Sequence, residues 1–313
     1  MLITGYFMCT SKITARRFAK LFLEWYFYKF VIWLLFLVTG FAKFSAQDFL
    51  FTVFPVNSIR QNFNACFVVF YLSIPFLNIL VHHMNQRQHL RLLLLLGFTY
   101  VLLGTAHRVD MNYFTWFIVL FLLASYIRLY PNKAFERASL WGWLTLLFLV
   151  VSTASVIVMT WLRYGRGVSS VSPYTLVEDS NTLLSVCLGL SAFLFFKNTR
   201  IRQSALINRI AGSTFAVLCI HASSDTMRKW LWVNLLDNAG HYASPIMPLY
   251  AVICVLGVFA VCVLIDQVRI LCVEKPFFRW WDRHWYGFLT RFTARENSIL
   301  SKLCVSSENQ KEE

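Results

Sequence analysis

His221 closes the apolar run STFAVLCIH, residues 213–221, and Ser223, Ser224 and Asp225 follow at once. An imidazole within reach of hydroxyls and a carboxylate suits proton abstraction from a hydroxyl, or recognition of a polar substrate. A histidine hydrogen-bonded between two helices would use the same residues, and both readings stay open from the residues alone. Twelve residues separate His221 from Arg209, which is ~18 Å along a helix.

Other charged groups stand where charge is concentrated or costly. Arg16, Arg17 and Lys20 cluster just before an apolar block. Guanidinium forks suit a phosphorylated ligand, although cations at such a boundary also mark an ordinary cytoplasmic loop. Lys29 lies inside that block, nine residues past Lys20, or ~13 Å along a helix. Glu24 is turned ~140° away from Lys29 on the same helix and is a poor partner for it. Lys29 therefore either snorkels, pairs with a neighbouring helix, or has a function. Asp266 and Arg269, three residues apart, can pair near the end of the last apolar block. With Glu274 and Pro276 beyond them, their expected role is to fix a helix end.

Familiar catalytic patterns do not occur: there is no GxSxG, no phosphate-binding P-loop, no HExxH and no Gly-rich dinucleotide fingerprint. His82, His83, His89, His107, His241 and His284 are expected to be solvated in loops or the tail. Of the eight cysteines, Cys9, Cys66, Cys187, Cys219, Cys254, Cys262 and Cys272 lie in or beside apolar blocks and Cys304 lies near the end. No CxxC occurs and no cluster has zinc spacing, so no metal site is expected and the thiols read as small hydrophobes.

The elements that must position these groups are set by composition. Of 313 residues, 58% are hydrophobic and only 14% charged, which excludes both an ordinary water-soluble globule and a disordered chain. The apolar residues form eight blocks close to the ~20 residues a membrane helix needs. They are Leu21–Phe41, Phe63–Val81, Leu90–Thr105, Tyr113–Tyr130, Leu140–Leu162, Asn181–Phe196, Ile207–Ser224 and Ile246–Val273. They are too long and too uniformly apolar for alternating barrel strands. The expectation is an all-α polytopic membrane helix bundle of about eight full spans with an N-terminal span remnant.

Charge gives the orientation. Of the 29 lysines and arginines, 21 fall in Lys12–Lys20, Val81–Arg91, Arg128–Arg137, Lys197–Arg209 and the segment from Asp266 onward. Only seven fall in the alternate loops, and Lys29 is the remaining one. Basic loops stay inside, so the C-terminus should be cytoplasmic. The net charge of +14 then reflects loops facing an anionic bilayer surface, and nucleic acid is not an expected partner.

Both ends have their own patterns. Met1–Thr10 is apolar, too short to span, and has its charges behind it, unlike a secretory signal. It reads as a cut span in a truncated or mis-started chain, with a short interfacial lead-in as the other reading. Residues 1–275 form the membrane domain. In residues 276–313, Pro276 can open a helix. Phe277, Trp281, Trp285, Phe288 and Phe292 then share a face interleaved with Arg279, Arg283 and Arg291. This reads as an amphipathic helix on the inner leaflet, followed by a disordered tail. No internal repeat or low-complexity linker is evident.

Four segments, in order across nearly the whole chain, resemble the acyltransferase 3 family of bacterial membrane O-acyltransferases. LITGYF (2–7) resembles the end of that family's second span. FVVFYLSIPFLNIL (67–80) is similar to its "YLLSPFLN" span, and STFAVLCIH (213–221) to its "tfgvYliH" segment. IDQVRILCVEKPFF (265–278) resembles its closing "D-x-x-R…E-x-P" element.

The resemblance implies a ten-helix core with both ends cytoplasmic, in a bacterial inner membrane. It implies transfer of an acyl group, usually acetyl, from cytosolic acyl-CoA to a hydroxyl of a surface or exported glycan or a lipid-linked sugar. Acyl-CoA would be a donor substrate, with no bound cofactor. His221 matches the family's late-span histidine, the candidate catalytic residue here. Arg17-x-x-Lys20, with Arg16, occupies the place of the family's R-x-x-R donor-binding motif; Lys keeps the charge but loses the second fork. Asn62 stands where the family usually carries a tryptophan before its "PFLN" span. The family's first-span histidine has no counterpart in these 313 residues, so this chain is expected to transfer little acyl group and an upstream-extended form to be active. Two other classes compete: a transporter or carrier of a glycan intermediate without acyl chemistry, and an inactive membrane subunit that binds a partner.

Overall fold

The computed structural model describes residues 1–54, 62–107, 112–169, 172–200 and 202–285, and among them regular structure is helical throughout, without strands. The helices are α1 (Leu2–Met8), α2 (Ala15–Val38), α3 (Ala46–Val53), α4 (Phe63–His83), α5 (Gln86–Leu96), α6 (Leu103–His107) and α7 (Tyr113–Leu129). They continue as α8 (Ala138–Thr160), α9 (Leu183–Asn198), α10 (Ala205–Gly212), α11 (Thr214–His221), α12 (Asp225–Lys229), α13 (Met247–Arg269) and α14 (Lys275–His284).

Five helical stretches are long and apolar enough to cross a membrane: Ala15–Val38, Phe63–His83, Gln86–Ala106, Ala138–Gly165 and Met247–His284. Of the eight full spans expected, five therefore meet the length and apolarity of a span among the described residues, or six if the bent pair of helices around Ser223 counts as one. Two of the apolar blocks form helices that stop short. α7 has 17 residues; the Asn112 side chain accepts from Phe114 N at its start, and Pro131 follows its end, where the preceding residue resists helical geometry. α9 has 16 residues. A third block breaks after His221: α11 and α12 meet at 93°, because Ser224 leaves the helix to cap α12, its Oγ accepting from Met227 N at 3.1 Å.

The chain folds as two compact units. The first comprises Met1–Phe22 and Phe49–Arg202. Its core joins Cys66, Phe70 and Ile74 of α4 to Phe117, Phe121 and Leu122 of α7. The aromatic rings meet edge to face, Phe70 lying 5.8 Å from Phe117 and 6.0 Å from Phe121. α1 packs on α7 through Gly5, where a Cβ would stand 2.9 Å from Phe121 Cα and Ala124 Cβ. α8 and α9 form an antiparallel pair, and Asn198 Nδ2 at the end of α9 donates to Phe135 O, just before α8, at 2.6 Å.

His89 corrects an expectation. It is fully buried, not solvated, because an Asn85–Gln88 capping box starts α5 earlier than the apolar block does. Its Nε2 bonds Leu122 O at 3.0 Å, and Tyr126 and Tyr130 flank the ring. His82 and His83 sit exposed in the last turn of α4 and His284 at the end of α14, while His241 is half-buried in a turn, its ring stacked on Tyr250 at 4.2 Å.

The second unit comprises Leu23–Asp48 and the chain from Gln203 onward. Here α11 runs antiparallel to the end of α13, and Gln267 Nε2 donates to Ser213 Oγ at 2.8 Å. α13 continues through a π-helical stretch, Ile270–Glu274, into α14. Pro276 thus lies in the first turn of α14, but within one continuous helix. Phe277, Trp281 and Trp285 share a face as expected, Trp281 stacking on Trp285 at 5.5 Å. Phe288, Arg291, Phe292, Cys304 and the tail expected to be disordered lie outside the described residues.

Candidate functional site

His221 is the last residue of α11, half-buried at the break before α12. Its Nδ1 lies 2.6 Å from the Val217 carbonyl, one turn back. A carbonyl only accepts, so Nδ1 carries the hydrogen, and in the neutral ring Nε2 is left with its lone pair. No partner occupies that nitrogen among the described residues. An oriented imidazole with a free Nε2 can accept a proton from a hydroxyl.

The polar neighbours are not gathered around this ring. Asp225 is exposed and pairs with Arg228 at 3.2 Å. Ser224 is spent on the α12 cap. Ser223 Oγ is buried without a hydrogen-bond partner. The break therefore presents a histidine and an unsatisfied hydroxyl, not a histidine–carboxylate pair.

Arg16, Arg17 and Lys20 are exposed on the first turns of α2. Arg16 and Lys20, four apart, fall on one face. Arg17 Nη1 donates to Lys12 O at 3.3 Å, which holds its fork beside the chain entering the helix. Three cations at a helix N-terminus oppose the helix dipole, so they add to the positive end that attracts anions. These residues belong to the first unit and His221 to the second.

A site that sequence reasoning saw only in part lies within the second unit. Arg269 is 7% exposed and Asp266 fully buried. Arg269 Nε donates to Asp266 Oδ1 at 2.8 Å, the pair expected from their spacing. Arg269 Nη1 also lies 2.9 Å from Glu274 Oε2, and Nη2 lies 3.5 Å from Glu24 Oε1. Tyr28 Oη donates to Asp266 Oδ1 at 2.8 Å. One guanidinium therefore gathers three carboxylates from α2, α13 and the π-helical stretch, while Asp266 Oδ2 has no hydrogen-bond partner. Glu24 and Tyr28, four apart, share one face of α2 within its apolar stretch, a spacing the sequence shows. Glu274 was not legible: five residues along an α-helix would turn it ~140° from Arg269, and only the wider π turn returns it.

Lys29 pairs with no carboxylate among the described residues. Its Nζ lies 5.8 Å from the centre of the Trp25 ring, on its own helix. No group of three histidine, cysteine or acidic side chains among the described residues could hold a metal ion. Compared with family models, curated proteins and solved structures, the chain matches none.

Proposed function

We propose that this chain is an integral-membrane O-acyltransferase, similar to the acyltransferase 3 family. It moves an acyl group, acetyl in the first instance, from cytosolic acyl-CoA to a hydroxyl of an exported glycan or lipid-linked sugar. Its eight apolar blocks all lie within a bacterial inner membrane, the two shorter helices and the bent α11–α12 pair included, and the C-terminus is cytoplasmic. The 21 to seven division of basic residues supports that orientation.

The observation that carries the reading is His221: a tethered imidazole with an open Nε2, at a helix break, on a segment similar to the family's histidine segment. In this reading Nε2 takes the acceptor hydroxyl's proton as its oxygen attacks the thioester carbonyl, and the CoA thiolate leaves. Arg16, Arg17 and Lys20 hold the phosphates of the donor. The Arg269 cluster holds α13 against the part of α2 from Leu23 onward, and has a positioning role.

The test uses membranes from cells that carry the gene at its native locus. Labelled acetyl-CoA should yield labelled glycan, and His221→Ala should lower transfer by ~100-fold, a usual size for loss of a general base. Arg17→Gln with Lys20→Gln should raise the donor KM with a smaller effect on kcat. Transfer that survives His221→Ala unchanged would contradict the assignment.

One observation favours the competing class. A helix broken inside an apolar block, as at α11–α12, is also how carriers expose backbone to a substrate. Movement of a glycan intermediate across proteoliposomes without acyl-CoA consumption would select that reading.

A further inference from the structure

Within the first unit, α1, α7 and α9 border a groove of about 920 Å³. Its walls are hydrocarbon for most of their length, with Leu2, Leu120, Leu123, Leu190 and Phe193 among the lining residues. One end differs. Arg128, at the last turn of α7, and Lys197, at the last turn of α9, both line it there. Tyr6 holds the two cations together. Arg128 Nη1 donates to Tyr6 Oη at 3.0 Å with its guanidinium 4.9 Å from the ring centre, and Lys197 Nζ lies 5.8 Å from the same ring. No carboxylate pairs with Arg128 or Lys197 among the described residues. The end of the groove thus has two positive charges and no negative one.

The length is informative. Trp116 and Arg128 both line the groove, twelve positions apart on one helix, which is ~18 Å. One leaflet of a bilayer's hydrocarbon core is ~15 Å, half of ~30 Å. An apolar channel one leaflet long, with two cations at one mouth, matches a single lipid chain below an anionic headgroup. The cations lie on the side where basic loops gather, which is the leaflet where anionic lipid attracts them.

We infer that this groove binds an anionic membrane lipid, one hydrocarbon chain lying along Leu120, Leu123, Leu190 and Phe193 and the headgroup phosphate bridging Arg128 and Lys197. This binding is separate from acyl transfer and does not depend on it.

Phosphatidylglycerol and phosphatidylcholine of identical chains, each added to the full chain in detergent and followed by native mass spectrometry, test the inference. Phosphatidylglycerol should bind more tightly. Arg128→Gln with Lys197→Gln should weaken it about 30-fold, at ~1 kcal/mol for each basic residue, and weaken phosphatidylcholine less, because its choline already offsets the phosphate charge. Gly189→Trp should block both lipids. Gly189 lines the groove, and a Cβ there meets nothing within 4 Å, so a side chain can start from this position without an immediate clash. Retained thermal stability of each variant separates loss of binding from loss of fold. Equal binding of the two lipids, or undiminished phosphatidylglycerol binding by either variant, would overturn the inference. So would a dimer of the chain that Gly189→Trp dissociates, because a second copy would then fill the groove.

Discussion

Tyr28 Oη donates to Asp266 Oδ1 at 2.8 Å, joining residues 238 positions apart. The same oxygen accepts from Arg269 Nε at 2.8 Å. A short-range pair on α13 is thereby tied to α2, and Glu24 and Glu274 complete the cage around the guanidinium. Removing the centre of such a cage has a larger effect than removing one edge.

Arg269→Met should therefore destabilise the chain by ~3–5 kcal/mol, because it leaves buried carboxylates without their counter-charge. Arg269→Lys should recover only part of that, since an ammonium cannot hold three carboxylates in one plane. Thermal unfolding in detergent, followed by size-exclusion chromatography, reads both.

Tyr28→Phe should be milder, ~1.5–3 kcal/mol, the range for a hydrogen bond to a charged group. Asp266 Oδ1 keeps its bond to Arg269 Nε in this variant. Equal losses in Tyr28→Phe and Arg269→Met would show that α2 is held here by packing and not by charge.

The legibility of this fold follows the range of the forces involved. The apolar blocks are local, and each one is helical in the structure, with Ile207–Ser224 divided between α10 and α11. The Asp266–Arg269 pair is local too, and its spacing shows it. Helix ends were misread where a polar cap competes with apolar length. Asn85 and Gln88 start α5 early and draw His89 into the core, whereas the helix before Ser224 ends at His221, three residues short of the apolar block's expected end. The π-helical stretch at Ile270–Glu274 was not legible at all, because it changes the angular step without changing the apolar pattern. Contacts between distant helices, such as Glu24 to Arg269, depend on which helices become neighbours, and a single sequence does not encode that in its periodicity.

His89→Ala should cost ~2–5 kcal/mol, the range for emptying a filled core position. His89→Phe should cost less. Leu122 O, which loses the imidazole, still accepts from Ser125 Oγ at 2.9 Å, so no carbonyl is stranded. Both variants can be ranked by unfolding temperature.

Gly5→Ala should loosen α1 from α7. The new methyl would press on Phe121 Cα, which is backbone and cannot turn aside, at a cost of ~1–3 kcal/mol. Limited proteolysis should then cut near Thr10 to Thr14 faster than in the parent chain. Unchanged cutting would show that the two helices separate without strain.

Every functional role assigned above requires apolar helices that cross a lipid bilayer with their arginine-rich ends on one side. Paired reporter fusions test that most directly, one reporter active only in the cytoplasm and one only outside. Fusions at Gln203 should report the cytoplasm, and fusions at Asn238, beyond the α11–α12 break, should report the exterior. Both positions on one side, or the two reversed, would contradict the account.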